Sequence, residues 1–304
     1  MSRCTIVALC LALCPVSFVP AAAQERAPTP DILVEGQRDT VPTQSEVTHE
    51  AREVTQGGDF RHSPLARFED PVCPGVMGLT LDAAEMMVDR LRYNAEKLGL
   101  RLASDNGCAP NLIVAFVPDA RGQLAALAHD HGYLFASLDL TEKRALLAES
   151  GPARVWTTTV MKTRDGMPVY GSNPRPGDPM SSAPVVSMWM AHSRIYLPIR
   201  NDIAQVMVLF DRDQVKGKTI IQLADYATMR GLAKTKPAGD SKGPDTILAL
   251  FETPTPPTGL TEFDRAYLAS LYDGIPNIPG ITKIGGVNRR LRRQAAHEAQ
   301  PARE

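Results

Sequence analysis

Apolar positions along the chain follow a helical period in some stretches and none in others, and the switch between the two marks out the elements. From 81 to 98, Ala84, Met87, Val88, Leu91, Ala95 and Leu98 recur at three and four, which predicts a helix with one apolar face. Thr80 suits its cap, Asp82 and Glu85 its first turn, and Gly99 its end. "NLIVAFV" (111–117) is a short continuous apolar run and predicts a buried strand. Helices follow at 120–131, stopping at Gly132, and at 140–149, where Asp139 and Glu142 occupy capping-box positions. Helix, strand and helix in this order argue against an all-β fold.

The middle of the chain changes character. "RVWTTTVMK" (154–162), "APVVSMWMA" (183–191), "SRIYLPI" (193–199) and "IAQVMVLFD" (203–211) are β-branched and aromatic, so they read as strands. Together they predict a mixed, largely antiparallel sheet. The Gly- and Pro-dense stretch 165–179 reads as a long surface loop. Helices return at 219–233, with Thr219 as N-cap, and at 260–272, with Thr261 and Asp264 as a capping box. The short apolar segment 246–251 lies between two loops. After Gly274 the pattern turns irregular, so 276–304 is expected to be a flexible basic tail.

Composition adds an export signal. Arg3 precedes an apolar run from Cys4 to Pro20, and Ala21-Ala22-Ala23 fits a small-residue cleavage site. That run is short and interrupted by proline, so it is a poor membrane span. Residues 24–64 are polar and rich in Pro, Gln and Thr, and are expected to be a linker; "DILVEGQR" (31–38) is a short exception that could pair as a strand. The folded domain is expected at 65–275, as a single α+β unit with packed helices. A formal net charge of −1 gives no general attraction to nucleic acid. Export also changes the cysteine arithmetic. Cys4, Cys10 and Cys14 leave with the signal, and Cys73 and Cys108 remain as a pair in an oxidising compartment. A disulfide between them is expected; the alternative is two buried free thiols.

The stretch "QLADYATMRGLA" (222–233) raises the question of chemistry. A helix ending near a glycine is the place where zincin metalloproteases carry His-Glu-x-x-His, two ligands one turn apart with a carboxylate base beside the first. Here the ligand places hold Ala224 and Thr228, the base place holds Asp225, and Gly231 keeps its position. Further on, Leu232, Leu260, Thr261, Asp264, Leu271 and Tyr272 stand in the order that closes a matrixin-type zincin. The stretch 205–274 therefore loosely resembles a zincin. "PVCPGVMGL", "QLADYATMRGLA" and "LTEFDRAYLASLY" together also resemble uncharacterised exported proteins of alphaproteobacteria. The first resemblance implies a zincin-like fold, but not the metal. Its third ligand would fall on Lys234, and none of the three histidines is present.

Other candidates are weaker. His129-Asp130-His131 is the one histidine cluster, but positions two apart on a helix face away from each other. His192 follows an apparent strand. Asp211 and Asp213 are paired acids at a strand end and read as a solvated turn. A buried Asp225 would need partners, for which Tyr226 and Arg230 are at hand. Walker, nucleophile-elbow and dinucleotide fingerprints are absent from the sequence. Arg289, Arg290, Arg292 and Arg293 read as a solvated tail. The reading is thus a periplasmic or secreted, non-catalytic protein without metal or cofactor. Ala224, Thr228 and Gly231 would line a degenerate zincin helix that binds a peptide or envelope protein, not nucleic acid. The alternative is a hydrolase centred on Asp225, helped by His192 or His131.

Overall fold

The structure, a computed structural model, describes residues 42–57, 59–104, 107–169, 193, 195–239 and 243–298. Seven α-helices and four strands are present among them. The sheet is built around β2 (Leu112–Val117). It pairs in parallel with β1 (Pro74–Met77) on one side and with β4 (Ile199–Asp211) on the other. β4 then pairs antiparallel with β3 (Ala153–Thr163), giving the order β1-β2-β4-β3. The class is α+β with a mixed sheet, and two of its three pairings are parallel. The sheet, expected to be largely antiparallel, is mostly parallel, and among the described residues only β3–β4 pairs antiparallel. A helical crossover from β1 to β2 returns the chain in the same direction, and β3 intervenes between β2 and β4. "NLIVAFV" lacks alternation because β2 is central and covered on both faces.

The two faces have different partners. Leu112, Val114, Phe116, Val206, Val208 and Phe210 point into the main core, where Phe116 stacks on Phe210 with ring centroids 5.2 Å apart. Helices α2 (Leu81–Lys97), α5 (Ile220–Leu232) and α6 (Glu262–Tyr272) contribute to that core. Ala115, Leu209 and Trp156 point the other way, to a smaller cluster with Leu124 of α3 (Ala120–Asp130) and Leu146 of α4 (Leu140–Ala148). The expected capping boxes are present on α4 and α6, and the expected N-cap Thr219 of α5 also forms one, with Gln222. Thr80 holds the N-cap position of α2 without a side-chain bond. Between β1 and α2 the chain turns at Gly78 with φ +86°, where a Cβ would lie 2.2 Å from the Phe116 carbonyl oxygen. Only glycine allows this approach to β2.

Three other expectations are corrected. The linker expected over 24–64 contains α1 (Gln44–Val54), whose Val47, Ala51 and Val54 enter the main core. The tail expected to be irregular forms α7 (Gly280–Glu298), with Ile284, Val287 and Leu291 in the same core. It packs along α6 and against α1. Finally, among the described residues of "SRIYLPI" only Ile199 is strand. Leu197 is held instead by Asn277, through Leu197 N–H to the Asn277 carbonyl (2.7 Å) and Asn277 Nδ2 to the Leu197 carbonyl (2.7 Å). The expected signal peptide, the 31–38 segment, the 183–191 strand and most of the 165–179 loop lie outside the described residues.

Candidate functional site

The stretch 222–233 does form a helix. It lies in the core, with every residue from Gln222 to Leu232 buried. α5 runs through Gly231 and ends at Leu232, so the glycine is not a cap. A Cβ there would meet Leu112 Cδ1 at 2.7 Å and Val206 Cγ1 at 3.4 Å, so Gly231 lets the helix lie directly on β2 and β4. Ala224 is fully buried, as are Asp225 and Thr228. The positions expected to line a binding cleft are packed in the interior instead, because α5 is enclosed by the sheet, α2, α6 and the loop before α6.

Asp225 has four donors around its carboxylate. Arg90 Nε reaches Oδ1 and Arg90 Nη2 reaches Oδ2, each at 2.7 Å. Asn94 Nδ2 donates to Oδ1 at 2.7 Å, and Leu260 N–H donates to Oδ2 at 2.8 Å. Asn94 Nδ2 also reaches Thr228 Oγ1 at 2.9 Å, and that hydroxyl donates to the Ala224 carbonyl at 2.9 Å. The bond to Asp225 holds the Arg90 guanidinium above its ordinary pKa. Asp225 and Thr228 are thus joined in one hydrogen-bond network that ties α5 to α2 and to the start of α6. Tyr226 and Arg230, expected as partners for Asp225, pair elsewhere. Arg230 Nη1 donates to Tyr226 Oη at 2.8 Å and to Glu149 at 3.2 Å. Burial pushes the Tyr226 hydroxyl up to about 12.

The other residues of the resemblance are also structural. Asp264 is fully buried and accepts from Thr246 Oγ1 (2.6 Å), Ile247 N–H (2.8 Å) and Thr261 N–H (2.9 Å), which pins the 245–247 turn to α6. Burial raises its pKa above the ordinary carboxylate value. Tyr272 Oη donates to the Leu232 carbonyl at 2.6 Å, linking the ends of α5 and α6. Lys234, at the third ligand place, pairs with Glu142 at 2.8 Å.

The histidines do not join Asp225. His129 and His131 sit exposed at the end of α3, on the opposite side of the sheet from α5. His129 is bonded to Asp130 at 2.7 Å. His192 lies outside the described residues. Asp211 Oδ1 accepts from the backbone of Asp213 and Gln214, and Asp213 pairs with Lys216, so this acidic pair caps a turn. Among the described residues no group of three or more His, Cys, Asp or Glu side chains is placed to hold a metal ion. The disulfide Cys73–Cys108 is formed. Among the described residues no helix is long and apolar enough to cross a membrane.

One lysine carries an electrostatic signature that sequence reasoning missed. Lys283 of α7 is 6 % exposed, and its ammonium donates to the Asp273 carbonyl. Burial, with Arg67 and Arg290 nearby, lowers its pKa to about 8 from 10.5, against the opposing pull of Asp273 and Glu69. Between pH 8 and 10.5 the unfolded chain therefore holds more protons at this site than the folded one. The stability of the protein relative to Lys283→Met should rise with pH across that window and level off above it. Denaturant unfolding of both proteins at pH 7.5, 9 and 10.5 tests this; a constant difference would refute it.

Comparison with protein-family models, curated proteins and solved structures gives no significant match. The zincin resemblance rests on the order of segments alone.

Proposed function

We propose that the chain is an exported, non-catalytic envelope protein whose C-terminal half is zincin-like and binds a peptide or another envelope component. The observation that carries this reading is the state of Asp225. A general base must reach the proton it removes. Asp225 is fully buried, and both of its oxygens are taken by Arg90, Asn94 and Leu260. Its neighbours in the motif supply no imidazole.

The loop before α6 lies over the first half of α5, held by Gln222 Nε2 to the Pro257 carbonyl (2.7 Å) and by Asp225 to Leu260. Beside it is a cavity of about 380 Å³ lined in part by Glu50, Thr246, Thr253, Thr255, Pro257 and Thr261. The lining mixes threonines with Ala238, Ala249 and prolines, which suits a short peptide segment that offers both polar and apolar groups.

The test is metal content and turnover together. Protein purified without chelators, then incubated with zinc and desalted, should retain far less than one zinc per chain and should cleave no member of a mixed peptide library. Stoichiometric zinc that survives desalting would overturn the proposal. So would turnover that Asp225→Asn removes while the fold persists.

A further inference from the structure

We propose that the outer face of α7 is a docking surface for anionic phospholipid bilayers. The arginines at 289–293 belong to an ordered helix with two opposed faces. Ile284, Val287 and Leu291 are buried on one. Thr282, Gly285, Arg289, Arg292 and Arg293 are exposed on the other, spaced at three and four. α7 as a whole carries five cations, Lys283, Arg289, Arg290, Arg292 and Arg293, against one acid, Glu298.

Elsewhere in the molecule several arginines are paired with carboxylates. Arg67 pairs with Glu69, Arg90 with Asp225, Arg200 with Asp202 and Arg230 with Glu149. Asp273, the acid beside α7, is already bonded by Arg290. Among the described residues Arg289, Arg292 and Arg293 make no ion pair; Asp273 feels the charge of Arg289 at longer range, and the charge of all three faces solvent.

The shape of the face favours a membrane over a nucleic acid. Its exposed positions in the described part of the helix are arginines, Thr282 and the small residues Gly285, Ala295 and Ala296, with no aromatic side chain on which bases could stack. Arginines near an anionic leaflet attract it electrostatically, and the attraction fades within a Debye length of about 8 Å at physiological ionic strength. The location relies on the exported reading, but the two tests are independent: zinc binding or hydrolysis would sink that reading without touching this one.

The experiment is co-sedimentation of the full chain with phosphatidylcholine vesicles, with and without roughly 30 % phosphatidylglycerol, compared with R289Q/R292Q/R293Q. All three positions are exposed, and circular dichroism verifies that the variant folds. The protein should prefer the anionic vesicles, the triple variant should bind them roughly 100-fold more weakly, and about 0.5 M salt should abolish the difference. Equal binding by the variant would overturn the proposal. Binding that resists salt would also overturn it, since that would point to the apolar run near the N-terminus. So would binding to polyphosphate or an oligonucleotide without binding to vesicles.

Discussion

Replacing Asp225 with alanine should destabilise the protein by about 3–5 kcal/mol, the usual cost of breaking a buried ion pair from one side. Three groups lose their acceptor together. The Arg90 guanidinium loses both bonds of a bidentate pair, Asn94 loses one of its two acceptors, and the Leu260 amide is left without the carboxylate. Arg90 can recover part of the loss, because its side chain is 29 % exposed and can turn to water. The amide of Leu260 has less freedom, so the loop before α6 should loosen. Urea unfolding measures the first effect, and hydrogen exchange at Leu260 measures the second. A loss under about 1 kcal/mol would mean that the network contributes little.

Asp225→Asn separates the structural role from a catalytic one. The amide keeps the volume but offers one acceptor and one donor where the carboxylate offered two acceptors. Arg90 bonds both oxygens, so in either orientation one of its N–H groups faces a donor, together with Asn94 or Leu260, and stability should fall, though less than in the alanine variant. Swapping Arg90 and Asp225 together for apolar residues should restore much of the loss, because two desolvated charges are removed at once. A catalytic base gives the opposite pattern, with activity lost and stability kept.

Local signals in the sequence carried most of the elements. Capping boxes at Asp139 and Thr261, and the N-cap Thr219, marked helix starts because the capping bonds involve residues three apart. The same signature was present at Thr43 and Glu46 and marks the start of α1. The polar composition around it concealed a face with only Val47, Ala51 and Val54. α7 was hidden by Gly285 and Gly286 and by its arginines, although Ile284, Val287 and Leu291 keep a helical period. β1 had no signal to read. It is four residues, begins with proline and glycine, and exists because β2 offers it a parallel edge. The site shows the same limit. Asp225 and Thr228 could be singled out from the sequence, but the partners of Asp225 could not. Arg90 and Asn94 come from a helix more than 130 residues earlier, and only the parallel arrangement of β1, β2 and β4 sets α2 beside α5.

Reduction of Cys73–Cys108 should cost up to about 4 kcal/mol, the loop-closure entropy for the 35-residue separation it spans. The native state should change little, because the start of β1 has other ties. Cys73 N–H donates to Asn111 Oδ1 at 2.8 Å, Asn111 N–H donates to the Cys73 carbonyl at 3.0 Å, and Asn111 Nδ2 reaches the Pro71 carbonyl at 2.9 Å. The effect should therefore fall on the unfolded chain, which becomes freer and less compact. Urea unfolding with and without reductant should show a lower midpoint and a slightly steeper dependence on urea in the reduced protein. Cys73→Ser/Cys108→Ser should behave like the reduced protein and lose its sensitivity to reductant. A reduced protein with an unchanged midpoint would refute the expectation and mean that the cross-link removes little entropy from the unfolded chain. If near-native stability instead required an intact Asn111, tested with Asn111→Ala in the reduced protein, the side chain and the disulfide would be two fasteners on the same strand, each masking the loss of the other.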